Sequence, residues 1–186
     1  MILASGAGST LQALIDAVRD GQLPARIMAV GSDRPGCPAL ERATAAGLPT
    51  FAEPLVPGAD RDAWNERLAG HIASAEPDLV VLAGFMRVLN PAVVRRFRIV
   101  NTHPSLLPSF PGAHAVRDAL AAGVKVSGVT VHWVDEGLDS GPIIAQHAVD
   151  VLAGDDEDSL RQRIQAIEKP LYVQAIRELS QEATHE

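Results

Sequence analysis

Apolar positions along this chain alternate between short continuous runs and helical spacing, and that alternation predicts the fold. Met1 to Ala4 is a short apolar run that predicts a strand, and Leu11, Leu14, Ile15 and Val18 then recur at helix spacing. Arg26 to Val30 predicts a second strand, Ala39 to Ala46 a helix, and Pro49 to Ala52 a third strand. Trp64, Leu68 and Ile72 mark one face of a longer helix, and Asp60 stands where its side chain can cap it. Leu79 to Ala83 is apolar throughout, as a strand is when its sheet is covered on both faces. Strand and helix in alternation imply parallel strands joined by right-handed crossovers. The expectation is an α/β fold: a mostly parallel, twisted sheet with helices on both faces and a Rossmann-like N-terminal half.

The second half is patterned differently. Val124 to Val134 and Ile143 to Val151 each read as a strand. Asp135 to Pro142 joins them, a connection longer than a tight hairpin needs and of the kind that often carries function. A final helix places Leu160, Ile164, Ile167 and Leu171 on one face, and Pro170 within it is expected to kink or interrupt it. No repeat or linker breaks the chain, so residues 1–186 read as a single domain with halves of about 1–100 and about 101–186.

Composition narrows the function. The formal net charge of −7 comes with no run of Lys or Arg, which argues against nucleic acid or a membrane as partner. Cys37 is the single cysteine, so neither an intrachain disulfide nor a Cys-rich metal site is expected, and the histidines show no ligand-like spacing. No signal peptide or bilayer-length apolar stretch is visible, which makes a cytoplasmic setting the default. Small-molecule substrates are the expected partners, with a monomer or a homodimer both open.

Ser5-Gly6-Ala7-Gly8-Ser9-Thr10 joins the first strand to the first helix. Glycines let a backbone turn tightly against a ligand, and a helix N-terminus offers unpaired N–H groups and a positive dipole end. Together these suit a phosphate. Leu11 stands where a dinucleotide fingerprint has its third glycine, although Asp33 lies where a ribose-binding acid would sit. No lysine follows the glycines, which disfavours a nucleotide-triphosphate loop. A compact phosphate monoester fits best; the plainer reading is a strand-to-helix turn with Ser9 as cap.

Asn101-Thr102-His103-Pro104-Ser105-Leu106-Leu107-Pro108 follows the apolar Ile99-Val100. Residues two apart on a strand point the same way, so Asn101 and His103 project together from its C-terminal end, where open α/β sheets bind ligands. An amide can stabilise an oxyanion and an imidazole can exchange protons. Ser105 lacks the elbow of a serine nucleophile. His71, His114, His132, His147 and His185 read as surface or packing residues. Asp139, in a polar loop whose glycines and acids predict mobility, would complete an Asn–His–Asp constellation if the fold brings it to His103.

Asn101-x-His103-Pro104-Ser105-Leu106-Leu107-Pro108, combined with Leu138-Asp139-x-Gly141-Pro142, resembles the signature of the folate-dependent formyltransferases. Ser5-Gly-x-Gly-Ser resembles a phosphate loop of that family, and Gly84-Phe85-Met86-Arg87-Val88-Leu89 its folate-pocket segment. The motifs fall in the family's order and spacing through nearly the whole chain. The resemblance implies the formyltransferase fold, with a phosphate- and substrate-binding first half and a catalytic, folate-binding second half. It implies transfer of the formyl group of 10-formyltetrahydrofolate to the amine of phosphoribosylglycinamide, without a metal. Asn101, His103 and Asp139 match the catalytic trio. Gly8, Ser9, Thr10 and Glu168 match contacts to the acceptor. Arg61, Met86, Arg87, Val88, Leu89, Asn101, Asp135, Glu136, Gly137, Leu138 and Asp139 match the folate side, and Leu107-Pro108 would be a cis peptide. Thr10 stands where many relatives have Asn. The alternatives are a formyltetrahydrofolate hydrolase-like enzyme and a non-catalytic or nicotinamide-binding α/β protein. A transfer RNA formyltransferase would bring a further C-terminal domain and a basic surface.

Overall fold

The computed structural model describes residues 1–182. In chain order its elements are β1 (Ile2–Leu3), α1 (Ser9–Arg19), β2 (Val30–Ser32), α2 (Pro38–Ala45), β3 (Thr50–Ala52), α3 (Arg61–Ser74), β4 (Val80–Leu82), α4 (Pro91–Arg96), β5 (Ile99–His103), α5 (Ala115–Ala121), β6 (Val126–Trp133), β7 (Ile143–Asp150) and α6 (Glu157–Glu182). The strands form one mostly parallel sheet in the order β3-β2-β1-β4-β5-β6-β7, so the fold is the expected α/β class. The chain divides into two compact units, Met1–Val100 and the residues from Asn101 onward. No described helix is long and apolar enough to cross a membrane.

In the first unit, β1 pairs in parallel with both β2 and β4, and β2 with β3. The second strand lies later than the apolar run suggests. The two paired residues of β1 reach only Val30 and Gly31, so residues 26–28 have no ladder to join. A Cβ on Gly31 would lie 2.2 Å from the Phe51 ring, so only glycine lets the ring pack there. Asp60 caps α3 as expected, accepting from the N–H groups of Asp62 at 2.9 Å and Ala63 at 3.1 Å. Trp64, Leu68 and Ile72 are the buried face of that helix. Proline opens α2 and α4, where its missing N–H costs no helical bond.

In the second unit, β6 and β7 form an antiparallel hairpin registered from Val126 opposite Asp150 to Val131 opposite Ala145, with a shift at Val131/His132. Val116, Val129, Val149, Leu160 and Ile164 make the core beneath it. Pro170 does not interrupt α6, contrary to the stronger of the two expectations. An interior proline costs about 3 kcal/mol. Leu160, Ile164, Tyr172 and Ile176 are buried on either side of it, and each such side chain gains about 1.5–3 kcal/mol. Pro170 itself is exposed, so packing on both flanks carries the helix through.

Candidate active site

The second unit assembles the trio around two histidines. β5 extends to His103, so Asn101 and His103 lie two apart on one strand. His103 is buried; its Nε2 faces the Phe110 carbonyl at 2.8 Å and its Nδ1 lies 3.4 Å from Asp139 Oδ2. Both ring nitrogens thus face oxygen atoms. The Gly112 N–H donates to Asp139 Oδ2 at 2.7 Å, which fixes the carboxylate. Phe110 and Asp139, the two partners of the ring, are both non-glycine residues at positive φ, 54° and 53°. Such conformations cost of order 1 kcal/mol or more and persist where surrounding contacts impose them.

His132 lies against the trio, a place that sequence reasoning did not give it. It is buried, which agrees with the packing half of the sequence reading. Its Nδ1 faces the Trp133 carbonyl at 2.9 Å and therefore carries the proton, leaving Nε2 as an acceptor. Asn101 Nδ2 approaches that acceptor at 3.4 Å, so His132 sets which end of the amide faces it. Its Nε2 also lies 3.8 Å from Asp139 Oδ1. Burial holds the His132 imidazole below its ordinary pKa, outweighing the Trp133 carbonyl and the Asp139 carboxylate, which act the other way. Its place in an alternating strand gave no chemical signal.

Around this cluster several polar groups bond the scaffold. Ser105 donates to the Ser109 carbonyl at 2.6 Å, so its hydroxyl proton faces a carbonyl and not a base. Thr130 Oγ1 donates to the Ser105 carbonyl and accepts from the Leu107 N–H. Gln146 donates to Leu107 O and to Thr130 Oγ1. Leu107-Pro108 is cis. In the long connection Asp135 Oδ1 accepts from the Gly137 N–H at 3.0 Å and from Ser140 Oγ at 2.9 Å. A Cβ on Gly141 would lie 1.8 Å from the Trp133 carbonyl oxygen, so the loop closes there only with glycine. Glu136 and Leu138 are exposed, and Glu168 is half-buried on α6. Of the other histidines, His71 stacks on Phe51 at 4.4 Å, and His185 lies outside the described residues.

The first unit holds the glycine loop and the segment 84–90. Ser9 does not cap α1. The cap position is Gly8, left-handed at φ 72°, a residue with no side chain to bond the first turn. Ser9 is therefore the first helical residue and not the cap. Gly8 is also needed for space, since a Cβ there would lie 2.8 Å from Ala39 Cα. From α2, the Ala39 N–H donates to Gly6 O at 3.1 Å and Arg42 Nε to Ala7 O at 2.9 Å. These bonds fix the two loop carbonyls ahead of Gly8. Asp33 is buried and accepts from Ser5 Oγ and from Arg87 Nε at 2.6 Å. Both of its oxygens are engaged, so the position that a nicotinamide-binding reading would assign to a ribose is closed.

Met86 and Val88 are exposed while Phe85 and Leu89 are buried, so the segment alternates between anchor and open surface. Phe85 stacks on Trp64 at 6.5 Å. Arg61 donates to the Val88 carbonyl at 2.9 Å, which makes it a brace of this segment. Among the described residues no group of His, Cys, Asp and Glu is arranged to hold a metal ion.

The Formyl transferase family matches residues 1–176. The chain belongs to the formyl transferase family. This formyl transferase is 53% identical, over its full length and 85% of the relative, to the phosphoribosylglycinamide formyltransferase of Mycobacterium tuberculosis. It is 44% identical to the enzyme of that name from Escherichia coli, with 92% of this chain and 82% of the relative aligned. Among solved structures it is similar to glycinamide ribonucleotide transformylase 1 from Symbiobacterium toebii. That match has a TM-score of 0.91 and 47% identity, over 95% of this formyl transferase and 84% of the other chain.

Proposed function

We propose that this formyl transferase moves the formyl group of 10-formyltetrahydrofolate to the amine of phosphoribosylglycinamide, giving the N-formyl product and tetrahydrofolate in purine biosynthesis. The observation that carries the proposal is the cluster of Asn101, His103, His132 and Asp139 on one end of the second unit's strands. The acceptor amine attacks the formyl carbon, forming the new C–N bond and a tetrahedral oxyanion. Asn101 and His103 donate to that oxygen, the task for which preorganised donors are most effective. Asp139 holds His103 through Nδ1 and takes part in carrying the amine's proton away through water. The bond from the formyl carbon to folate nitrogen then breaks, and that nitrogen is protonated. No acyl-enzyme forms, so the kinetics are sequential rather than ping-pong.

Gly8, Ser9 and Thr10 are the proposed cradle of the acceptor phosphate, supported by the left-handed Gly8 that leads into the N-terminus of α1. Glu168 is the proposed contact to the ribosyl glycinamide. Arg61, Met86, Arg87, Val88, Leu89 and Asp135 to Asp139 are the proposed surroundings of the folate. The test follows folate deformylation by absorbance with and without phosphoribosylglycinamide. Turnover that requires the acceptor is expected. Equal turnover without it would make the protein a hydrolase, and none at all would reject the substrate pair.

A further inference from the structure

Asp33 is a buried carboxylate that formyl transfer, as proposed above, does not use. Its side chain is fully buried, and its two oxygens are bonded to two different segments. Oδ1 accepts from the hydroxyl of Ser5, the first residue of the glycine loop. Oδ2 accepts from Arg87 Nε at 2.6 Å, and Arg87 lies in the segment assigned to the folate. Ser5 closes the circuit: its Oγ accepts from the Met86 N–H at 2.8 Å, and its own N–H donates to the Gly84 carbonyl at 3.1 Å. Two bonds tie Ser5 directly to Gly84 and Met86, and two more reach Arg87 through Asp33, the middle of the one path that runs through side chains alone.

We propose that Asp33 is a positioning residue that couples the glycine loop to the segment 86–89, so that occupation of one raises affinity at the other. The proposal rests on the formyl-transfer reading for the identity of the two ligands. Its physical basis is that a buried charged group with both oxygens bonded admits few arrangements. A shift of the loop that moved Ser5 would leave Asp33 Oδ1 or the Met86 N–H without a partner, which is costly away from water. The segment's far end is held independently: Arg61 bonds Val88 O, and the Asn90 N–H donates to Asn65 Oδ1 at 3.1 Å. Order imposed at Ser5 thus passes to Met86 and Arg87 rather than being lost in a loose strand. Binding linkage makes the effect reciprocal.

The variants separate the two links. In Asp33→Asn the remaining oxygen can still accept from Ser5, while the new amide N–H meets the Arg87 N–H, donor against donor. Ser5→Ala removes the hydroxyl path and leaves the Asp33–Arg87 pair intact. Tetrahydrofolate is titrated by calorimetry into wild type and each variant, with and without saturating ribose 5-phosphate. The wild type is expected to bind tetrahydrofolate about tenfold more tightly with ribose 5-phosphate present, within the usual range of coupling. Both variants are expected to bring that ratio to within about twofold of one. A merely structural Asp33 would lower the melting temperature and leave the ratio unchanged. A wild-type ratio near one, or a ratio retained in both variants, overturns the proposal. Should Asp33→Asn fail to fold, Ser5→Ala decides alone. Acceptor-dependent turnover in the wild type with a ratio near one would sink the coupling only. Absence of both turnover and tetrahydrofolate binding would sink the formyl-transfer reading and the coupling with it.

Discussion

The two units solve different problems with different parts of the chain. The first presents backbone: Gly8 at positive φ at the head of α1, and loop carbonyls held by Ala39 and Arg42. The second presents side chains, with Asn101, His103, His132 and Asp139 each oriented by a neighbour. Backbone N–H groups bind an anion without discriminating the reaction that follows. Side-chain groups that exchange protons or meet an oxyanion act at the transition state. Damage to the second unit should therefore appear in kcat, and damage to the first in KM for the phosphorylated acceptor.

The largest effect is expected at Asn101. Asn101→Ala should lower kcat on the order of 100-fold or more with little change in either KM, because an oxyanion donor acts only in the transition state. Steady-state kinetics check it, and near-normal turnover would remove the assignment. Asp139→Asn comes next. It keeps an oxygen for the Gly112 N–H but takes away the charge facing His103, and kcat should fall roughly 100-fold. If only KM responds, Asp139 belongs to binding and the contrast between the units blurs.

In the first unit Gly8→Ala should behave in the opposite way. A Cβ 2.8 Å from Ala39 Cα, on a residue at φ 72°, forces the loop to move. A loss of about 1–3 kcal/mol in stability and a rise on the order of tenfold in KM for the acceptor are expected, with kcat largely kept. Denaturant melts and acceptor titration read the two effects separately. Thr10→Asn lengthens one loop side chain without disturbing the backbone, so the acceptor KM should change by less than about fivefold.

A pH measurement sharpens the contrast without touching the chemistry. The folded state holds the His132 pKa below the 6.5 of an ordinary imidazole. Below that value the unfolded chain binds a proton that the folded chain does not, so the stability contributed is full above it and declines as pH falls. Between about pH 7 and about pH 5.5, His132→Gln should show a smaller drop in melting temperature than the wild type. Asp155 gives a control in a lower window. Arg163, the Leu152 N–H and Ser159 hold its carboxyl below the usual 3.8, so its contribution is lost only as pH falls beneath that. An Asp155→Asn variant should leave the slope near neutrality unchanged.

Several of these features were legible from spacing. The Asp60 cap, the apolar face of α3 and the pairing of Asn101 with His103 on one strand are local facts, set within a few residues. The misjudged elements depend on distant partners. β2 begins at Val30 because that is where β1 meets it. α6 continues through Pro170 because Leu160 and Ile164 on one side and Tyr172 and Ile176 on the other are buried. Ser9 is not the cap because Gly8 packs against α2 in a conformation open to glycine.

The alternation of strand and helix, the motif around Asn101 and His103, and the glycine loop can be read from the chain alone, because periodicity and tight turns are properties of neighbouring residues. Folding alone brings Asp139 to His103, sets His132 beside them and closes Asp33 between Ser5 and Arg87. Those partners lie tens of residues apart. What sets their roles is burial and proximity, which the packing of the sheet creates and no local pattern records.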